Sequence, residues 1–239
     1  MQEGYIATRE GRFSRMFDII GAGLPARFRA LDLGCGPGSL SVRLLRRFPS
    51  ARVVAIDHDP LMLALGRAGY GTFNGRLTWV DADLRKEGWS RHIPQARGFD
   101  AVVSTTALHW LTPTRLGWVY REARSVLRRG GILLNGDKAP IDGRVKSLAE
   151  RCERALQDSQ HAYSQEHPSE GWETWWANIE RMPSMTELLA ERKRRYGSES
   201  HHEDALPASG HLARLRRAGF REAEVLWRDL SNVVIVALK

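Results

Sequence analysis

The chain has 239 residues, 42% of them hydrophobic and 27% charged, the balance of a globular domain with a core of its own. Two cysteines, Cys35 and Cys152, argue against a disulfide framework or a zinc cluster, and the start "MQEGYIATRE" carries no charged-then-apolar leader, so a soluble cytoplasmic protein without a membrane partner is the expectation. The net charge of +8 makes an anionic partner worth testing, but the basic residues are dispersed over helical patterns and no nucleic-acid recognition motif accompanies them.

The first element is "REGRFSRMFDIIGAG", which sets Phe13, Met16, Phe17 and Ile20 at helical spacing before a glycine stop. "RALDLG" follows as a buried strand, and "GSLSVRLLRRF" as a helix with Leu40, Leu44 and Leu45 on one face. "ARVVAID" is a second strand and "DPLMLALGRAG" a second helix, opened by Asp59-Pro60. "LTWVDADL" is a third strand. "FDAVVSTTALHWL" holds a fourth, before the helix "TPTRLGWVYREARSVLRRGG" and the fifth strand "GILLNGD". Strands alternating with helices from residue 28 to about 137 predict an α/β fold, a parallel sheet with helices on both faces. From Gly143 to Gly197 the pattern is helical throughout, and it reads as an insertion capping the ligand edge of the sheet. A helix, "SGHLARLRRAGF", and two strands, "EAEVLWRDL" and "NVVIVALK", close the chain, the strands spaced to pair as a hairpin.

The densest signal is "LDLGCGPGSL", with Gly34, Gly36 and Gly38 between the first strand and the first sheet helix. Glycine tolerates positive φ and lets a ligand approach the backbone, so this is a nucleotide-type loop. Its spacing is G-x-G-x-G. A dinucleotide loop needs G-x-G-x-x-G, but position 39 is Ser, and a phosphate-cradling loop needs Gly-Lys-Ser/Thr, which is absent. Pro37 removes one more amide that a phosphate would use. Asp57 ends the second strand, where a carboxylate accepts hydrogen bonds from a ribose diol, and Asp83 follows the third, where one can accept from an adenine amino group. Asp32, inside the first strand, is costly to bury and should face a cationic or donor group. A ligand with an ammonium, a ribose and an adenine but no phosphate would use all of these, and S-adenosylmethionine is such a ligand.

In their order, "LDLGCGPGSLS", "VVAIDHD", "VDADL", "FDAVVSTTALHWL" and "LRRGGILLNGD" resemble the motifs of the class I S-adenosylmethionine-dependent methyltransferases over roughly residues 28–137. The resemblance implies a Rossmann-like, seven-stranded, mostly parallel sheet with an antiparallel last strand. It implies cofactor contacts from Gly34, Cys35, Gly36 and Gly38, from Asp57 and Asp83, and from His58 against the adenine face, with Asp32, Leu84 and Ser104 completing the set. Together with the strand–helix pattern it divides the chain into an N-terminal helical segment (1–27) closing over the cofactor, a core (28–140), a helical cap (141–208), and a final helix and hairpin (209–239) that complete the sheet. In the N-terminal segment Arg9 and Arg12 have two readings, an arginine partner for the cofactor's carboxylate, with Arg12 the one singled out, or part of a solvated helix face.

The acceptor is less legible. Where ring-nitrogen methylases of nucleic acids usually carry an Asn/Asp-Pro-Pro-aromatic tetrad, this chain has Ser104-Thr105-Thr106-Ala107, and the catalytic cysteine of C5-pyrimidine methylases is missing. "ALHWL" resembles the trans-aconitate methyltransferase-like group of small-molecule enzymes. His109 is therefore the candidate general base or acceptor-orienting group, against a second reading as a capping or satisfied histidine. Trp110, and Trp172 with Trp176 on one helix face, are candidates for the acceptor wall or for packing. Asp137 is read as an acceptor contact or a surface ion pair with Lys138. His201, in "HHED", is a loop residue that could touch substrate; adjacent residues do not converge on a metal, and none is expected. The expected function is methyl transfer to a small molecule, through a carboxylate or hydroxyl oxygen. The alternatives are an RNA methyltransferase and a cofactor-binding protein without turnover.

Overall fold

The computed structural model describes residues 9–167, 171–197 and 205–239. Seven strands form one sheet in the order β3-β2-β1-β4-β5-β7-β6: β1 (Arg29–Leu33), β2 (Arg52–Asp57), β3 (Leu77–Asp81), β4 (Phe99–Thr105), β5 (Leu127–Lys138), β6 (Glu222–Asp229) and β7 (Asn232–Leu238). The first five pair parallel, and β7 runs antiparallel to both β5 and β6, as the resemblance implied.

Helices cover both faces. On one, α1 (Arg9–Gly23) and α2 (Ser39–Arg47) bury Phe13, Met16, Ile20, Leu40, Leu44 and Leu45. On the other, α4 (Pro113–Val126) and α8 (Ala208–Arg217) bury Leu116, Val119, Tyr120 and Leu215. Burying each such aliphatic or aromatic side chain contributes roughly 1.5–3 kcal/mol. Strand order reverses between β1 and β4, and the crevice at the carboxyl ends of these strands is where such sheets receive ligands.

The glycine loop lies at that crevice. Gly38 has φ 85 and caps α2, and a Cβ there would strike the Trp79 ring, so close packing as well as backbone conformation demands glycine. Asp59 caps α3 (Pro60–Tyr70), its carboxylate accepting from the Leu61 and Met62 amides at 3.0 and 3.3 Å.

The long insertion contains α5 (Lys146–Glu166), α6 (Trp172–Glu180) and α7 (Thr186–Tyr196). Trp175 and Ile179 of α6 pack with Met185, Leu188 and Leu189 onto Leu61 of α3, which seats α6 and α7 beside the crevice. Helix α5 buries none of its residues.

No helix among the described residues is long and apolar enough to cross a membrane.

Candidate cofactor and acceptor site

A cavity of about 1040 Å³ opens at the carboxyl ends of β1, β2 and β4 and is bounded by the glycine loop, the turn after β3, the β4–α4 connection and α7. That volume is generous for a single small ligand and leaves room for two. Gly34, Cys35, Gly36, Asp57, His58, Asp83, Leu84, His109, Trp110 and Trp176 all border it, so most of the residues singled out in the sequence converge on one space.

Asp57 organises the loop side. One carboxylate oxygen accepts from the Gly36 amide at 2.7 Å, and the other from the amides of His58 and Asp59 at 2.7 and 2.9 Å. The carboxylate thus ties the glycine loop to the end of β2 while bordering the cavity. Burial pushes its pKa up, opposed by these three amides. Gly36 has φ 53, and a Cβ built on it would meet nothing within 4 Å, so it borders open space that a ligand can fill.

Asp83 borders the cavity already paired with a neighbour. Both its oxygens are engaged by Arg85, at 2.8 Å to Nε and 3.0 Å to Nη2, and Arg85 Nε and amide share Oδ1. This pairing lowers the Asp83 pKa despite the opposing effect of burial. An adenine amino group would have to share a carboxylate already held in a bidentate pair. His58 contacts Asp81 at 3.1 Å through Nδ1 and lies 6.0 Å, ring to ring, from Tyr196 of the insertion.

Helix α7 is latched to this edge. Arg192 donates to Asp59 at 2.6 Å and its guanidinium lies 4.6 Å from the centre of the Trp176 ring. Arg195 donates to Asp81 at 2.6 Å and to the His58 carbonyl at 3.0 Å. Arg192, Arg195 and Tyr196 are three and four residues apart, hence on one helix face, a spacing that could have flagged them in the sequence.

On the opposite wall, the His109 Nδ1 lies 2.7 Å from Asp137 Oδ1, and the His109 amide donates to Asp137 Oδ2 at 3.1 Å. Asp137 is 1% exposed and does not border the cavity, which corrects both of its expected roles: it is neither an acceptor contact nor a surface partner of Lys138. Its pKa is held low, against burial, chiefly by the hydrogen bond from His109, with the nearby Arg12 charge adding to it. An ionised acceptor at Nδ1 fixes the tautomer with the proton on Nδ1, so in neutral His109 the lone pair is on Nε2. Nε2 has no hydrogen-bond partner among the described residues.

Four more expectations are revised. Arg12 is 1% exposed and lies behind the wall, donating to Thr106 Oγ1 at 2.7 Å, so it forms no solvated face and does not reach the cavity; Arg9, one turn earlier, borders it instead. The contact steadies Thr106, a β-branched residue held at φ 52. Ser104 is buried and donates to the Leu33 carbonyl at 2.8 Å, joining β4 to β1. Gly38 packs on Trp79 beneath the loop rather than bordering the cavity. Asp32 faces a donor as expected, accepting from Ser41 Oγ at 2.6 Å, but it does not border the cavity, and its Oδ1 is buried without a partner among the described residues. Trp172 has a side chain outside the described residues, and so does His201 as a whole.

Burial raises the Asp32 pKa to about 7. Its unfolded value is about 4, so folding takes up a proton between about pH 4 and 7, and wild-type stability from this group falls as pH rises through that window. Relative to wild type, Asp32→Asn is expected to gain stability from pH 5 to pH 8. Urea unfolding of both proteins at the two pH values checks it, and a constant difference contradicts it.

This donor set suits a nucleoside cation better than a phosphate. Carboxylates border the loop, Pro37 offers no amide, and the nearby Arg85 and Arg192 are neutralised by Asp83 and Asp59. Residues 30–131 match the profile of the methyltransferase domain family. Residues 30–131 are a class I methyltransferase domain. The chain is 36% identical over 124 residues to a malonyl-[acyl-carrier protein] O-methyltransferase of Legionella pneumophila, covering 51% of this chain and 40% of that protein. A longer match, 30% identical over 196 residues, is to a trans-aconitate 2-methyltransferase of Streptomyces coelicolor, covering 80% of this chain and 50% of the relative. The chain thus spans about half the length of the curated relatives it matches. In fold, it superposes on the apo crystal structure of the S-adenosylmethionine-dependent methyltransferase SibL with a TM-score of 0.58 at 18% identity, covering 95% of this chain and 55% of SibL. The cofactor of this methyltransferase domain is S-adenosylmethionine, and the cavity's carboxylates and open glycine loop fit it.

Proposed function

We propose that the protein transfers the methyl group of S-adenosylmethionine to an oxygen of a small-molecule acceptor. The observation that carries this reading is one cavity with a glycine loop and ribose-type carboxylate on one wall and a His109–Asp137 pair on the other. When bound, the cofactor supplies a methyl group activated by a sulfonium. Asp57 would hold the ribose hydroxyls, Gly34 to Gly36 would admit the cofactor's amino-acid end, and Leu84 and His58 would flank the adenine. Arg9 is the N-terminal candidate for the cofactor's carboxylate. In this reading 28–140 with 209–239 is the catalytic core, and 141–208 is a cap whose α7 closes the cofactor edge.

On the acceptor side, His109 Nε2 takes a proton from a hydroxyl nucleophile, or orients a carboxylate that needs no base. Trp110 and Trp176 border the cavity and would pack against a bound acceptor. Alignment behind the methyl carbon is the larger contribution, and good alignment can contribute roughly 7–11 kcal/mol. Both trans-aconitate and malonyl groups, the substrates in the relatives' names, present carboxylates, which supports an oxygen acceptor.

Calorimetry is expected to show binding of S-adenosylmethionine and S-adenosylhomocysteine but not of NAD, because the loop lacks both the spacing and the amides for a pyrophosphate. Tight NAD binding with no heat from S-adenosylmethionine would overturn the assignment.

A further inference from the structure

The acceptor wall holds a cation as well as a base. Arg115, in the first turn of α4, is half-buried and borders the cavity. Its amide is satisfied by Thr112 Oγ1 at 3.4 Å, but its guanidinium makes no hydrogen bond or ion pair among the described residues. Of the other arginines that border the cavity, Arg85 is paired with Asp83 and Arg192 with Asp59. Among the described residues, the carboxylates that border the cavity, Asp57, Asp59 and Asp83, all come from the ends of β2 and β3, across from the β4–α4 connection that carries His109 and Arg115. A half-buried guanidinium without a carboxylate of its own is suited to a bidentate oxyanion from a ligand.

His109 adds a second requirement. A carboxylate nucleophile is ionised at neutral pH and needs no base. Yet the wall carries an imidazole whose tautomer is fixed by a buried carboxylate and whose Nε2 is left for a ligand. That arrangement is useful for a nucleophile that still carries its proton.

Resting on the methyl-transfer reading above, we propose that the acceptor is a hydroxylated oxyanion: a hydroxyl is methylated through His109, while a separate carboxylate or phosphate group is held by Arg115. The acceptor O–H gives its proton to His109 Nε2. The new O–CH3 bond forms as the donor's S–CH3 bond breaks, with that electron pair staying on sulfur. The proton then leaves the imidazolium for water. The product is an ether that keeps its negative charge.

The test incubates the whole chain with a small-molecule metabolite extract and methyl-labelled S-adenosylmethionine, once calorimetry has shown donor binding. The expected label is retained on an anion exchanger and survives mild alkali. Loss of retention after phosphatase assigns the charge to phosphate, and persistence assigns it to carboxylate. An alkali-labile label, the mark of a methyl ester, overturns the proposal while leaving methyl transfer intact, and so does a product with no charge. Donor binding with no labelled product removes the methyl-transfer reading and this acceptor class with it. Arg115→Gln is expected to lower labelling about tenfold in dilute extract, with recovery in concentrated extract, and Arg115→Lys to lie between it and wild type. Labelling by Arg115→Gln equal to wild type at every dilution overturns the role of Arg115.

Discussion

Replacing His109 with alanine is expected to lower kcat by about 10²-fold or more on a hydroxyl acceptor, while leaving the affinity for S-adenosylmethionine near that of wild type. The affinity should hold because His109 belongs to the β4–α4 wall, across the cavity from the glycine loop, and its only described hydrogen-bond partner is Asp137. Asp137→Asn should lower kcat in the same direction, because an amide cannot replace the ionised acceptor that holds the proton on Nδ1. If the nucleophile is instead a carboxylate, His109→Ala should cost only an orienting hydrogen bond, on the order of 1 kcal/mol. Single-turnover kinetics with cofactor prebound separate the two results. Unchanged turnover and an unchanged pH profile would remove His109 from the reaction and leave Trp110 and Trp176 as the acceptor contacts to test.

The parts of this site that the sequence displays are those made by neighbours in the chain. Gly34 to Pro37, Asp57 at the end of β2 and Leu84 after β3 are positioned by the strand–loop–helix rhythm alone, which is why they meet at one cavity. The pairings that give the side chains their chemistry are long-range and carry no local signal. His109 and Asp137 are 28 residues apart, brought together because β4 and β5 are adjacent and in register up to Thr105 and Gly136. Arg192 reaches Asp59 across 133 residues only because Leu188 and Leu189 seat α7 on α3. Arg12 and Arg9 show the limit most plainly. Both are on α1, three residues apart, and periodicity cannot say which one a helix of unknown offset presents to the ligand. Arg9 borders the cavity, whereas Arg12 is consumed by Thr106 behind it. Asp83 and Arg85 were within reach of a local reading, since an aspartate two residues before an arginine can form the turn seen here, with the Arg85 amide 2.9 Å from the carboxylate.

That pairing gives a structural reason for Asp57→Ala to damage cofactor binding far more than Asp83→Ala. Asp57 has two tasks. It borders the cavity, where it is the proposed acceptor for ribose hydroxyls, each charge-assisted bond contributing roughly 1.5–3 kcal/mol, and it holds the Gly36 amide at 2.7 Å, so its loss also frees the loop. The expected result is a loss of S-adenosylmethionine affinity of ~10²-fold or more. Asp57→Asn should not rescue it, because the new amide group would meet at least one of the three backbone N–H donors that now point at the carboxylate. Asp83→Ala removes a carboxylate whose two oxygens are already taken by Arg85, so at most one shared bond to the adenine is lost. Its expected cost is about tenfold or less. The pH dependence runs the same way. Burial raises the Asp57 pKa, so affinity should begin to fall at a higher pH than for an ordinary carboxylate as the solution is acidified, and Asp57→Ala should remove that dependence. Calorimetric titration of wild type and the three variants at neutral and mildly acidic pH decides it; a greater loss in Asp83→Ala than in Asp57→Ala would place the cofactor's strongest anchor after β3 instead of at the end of β2.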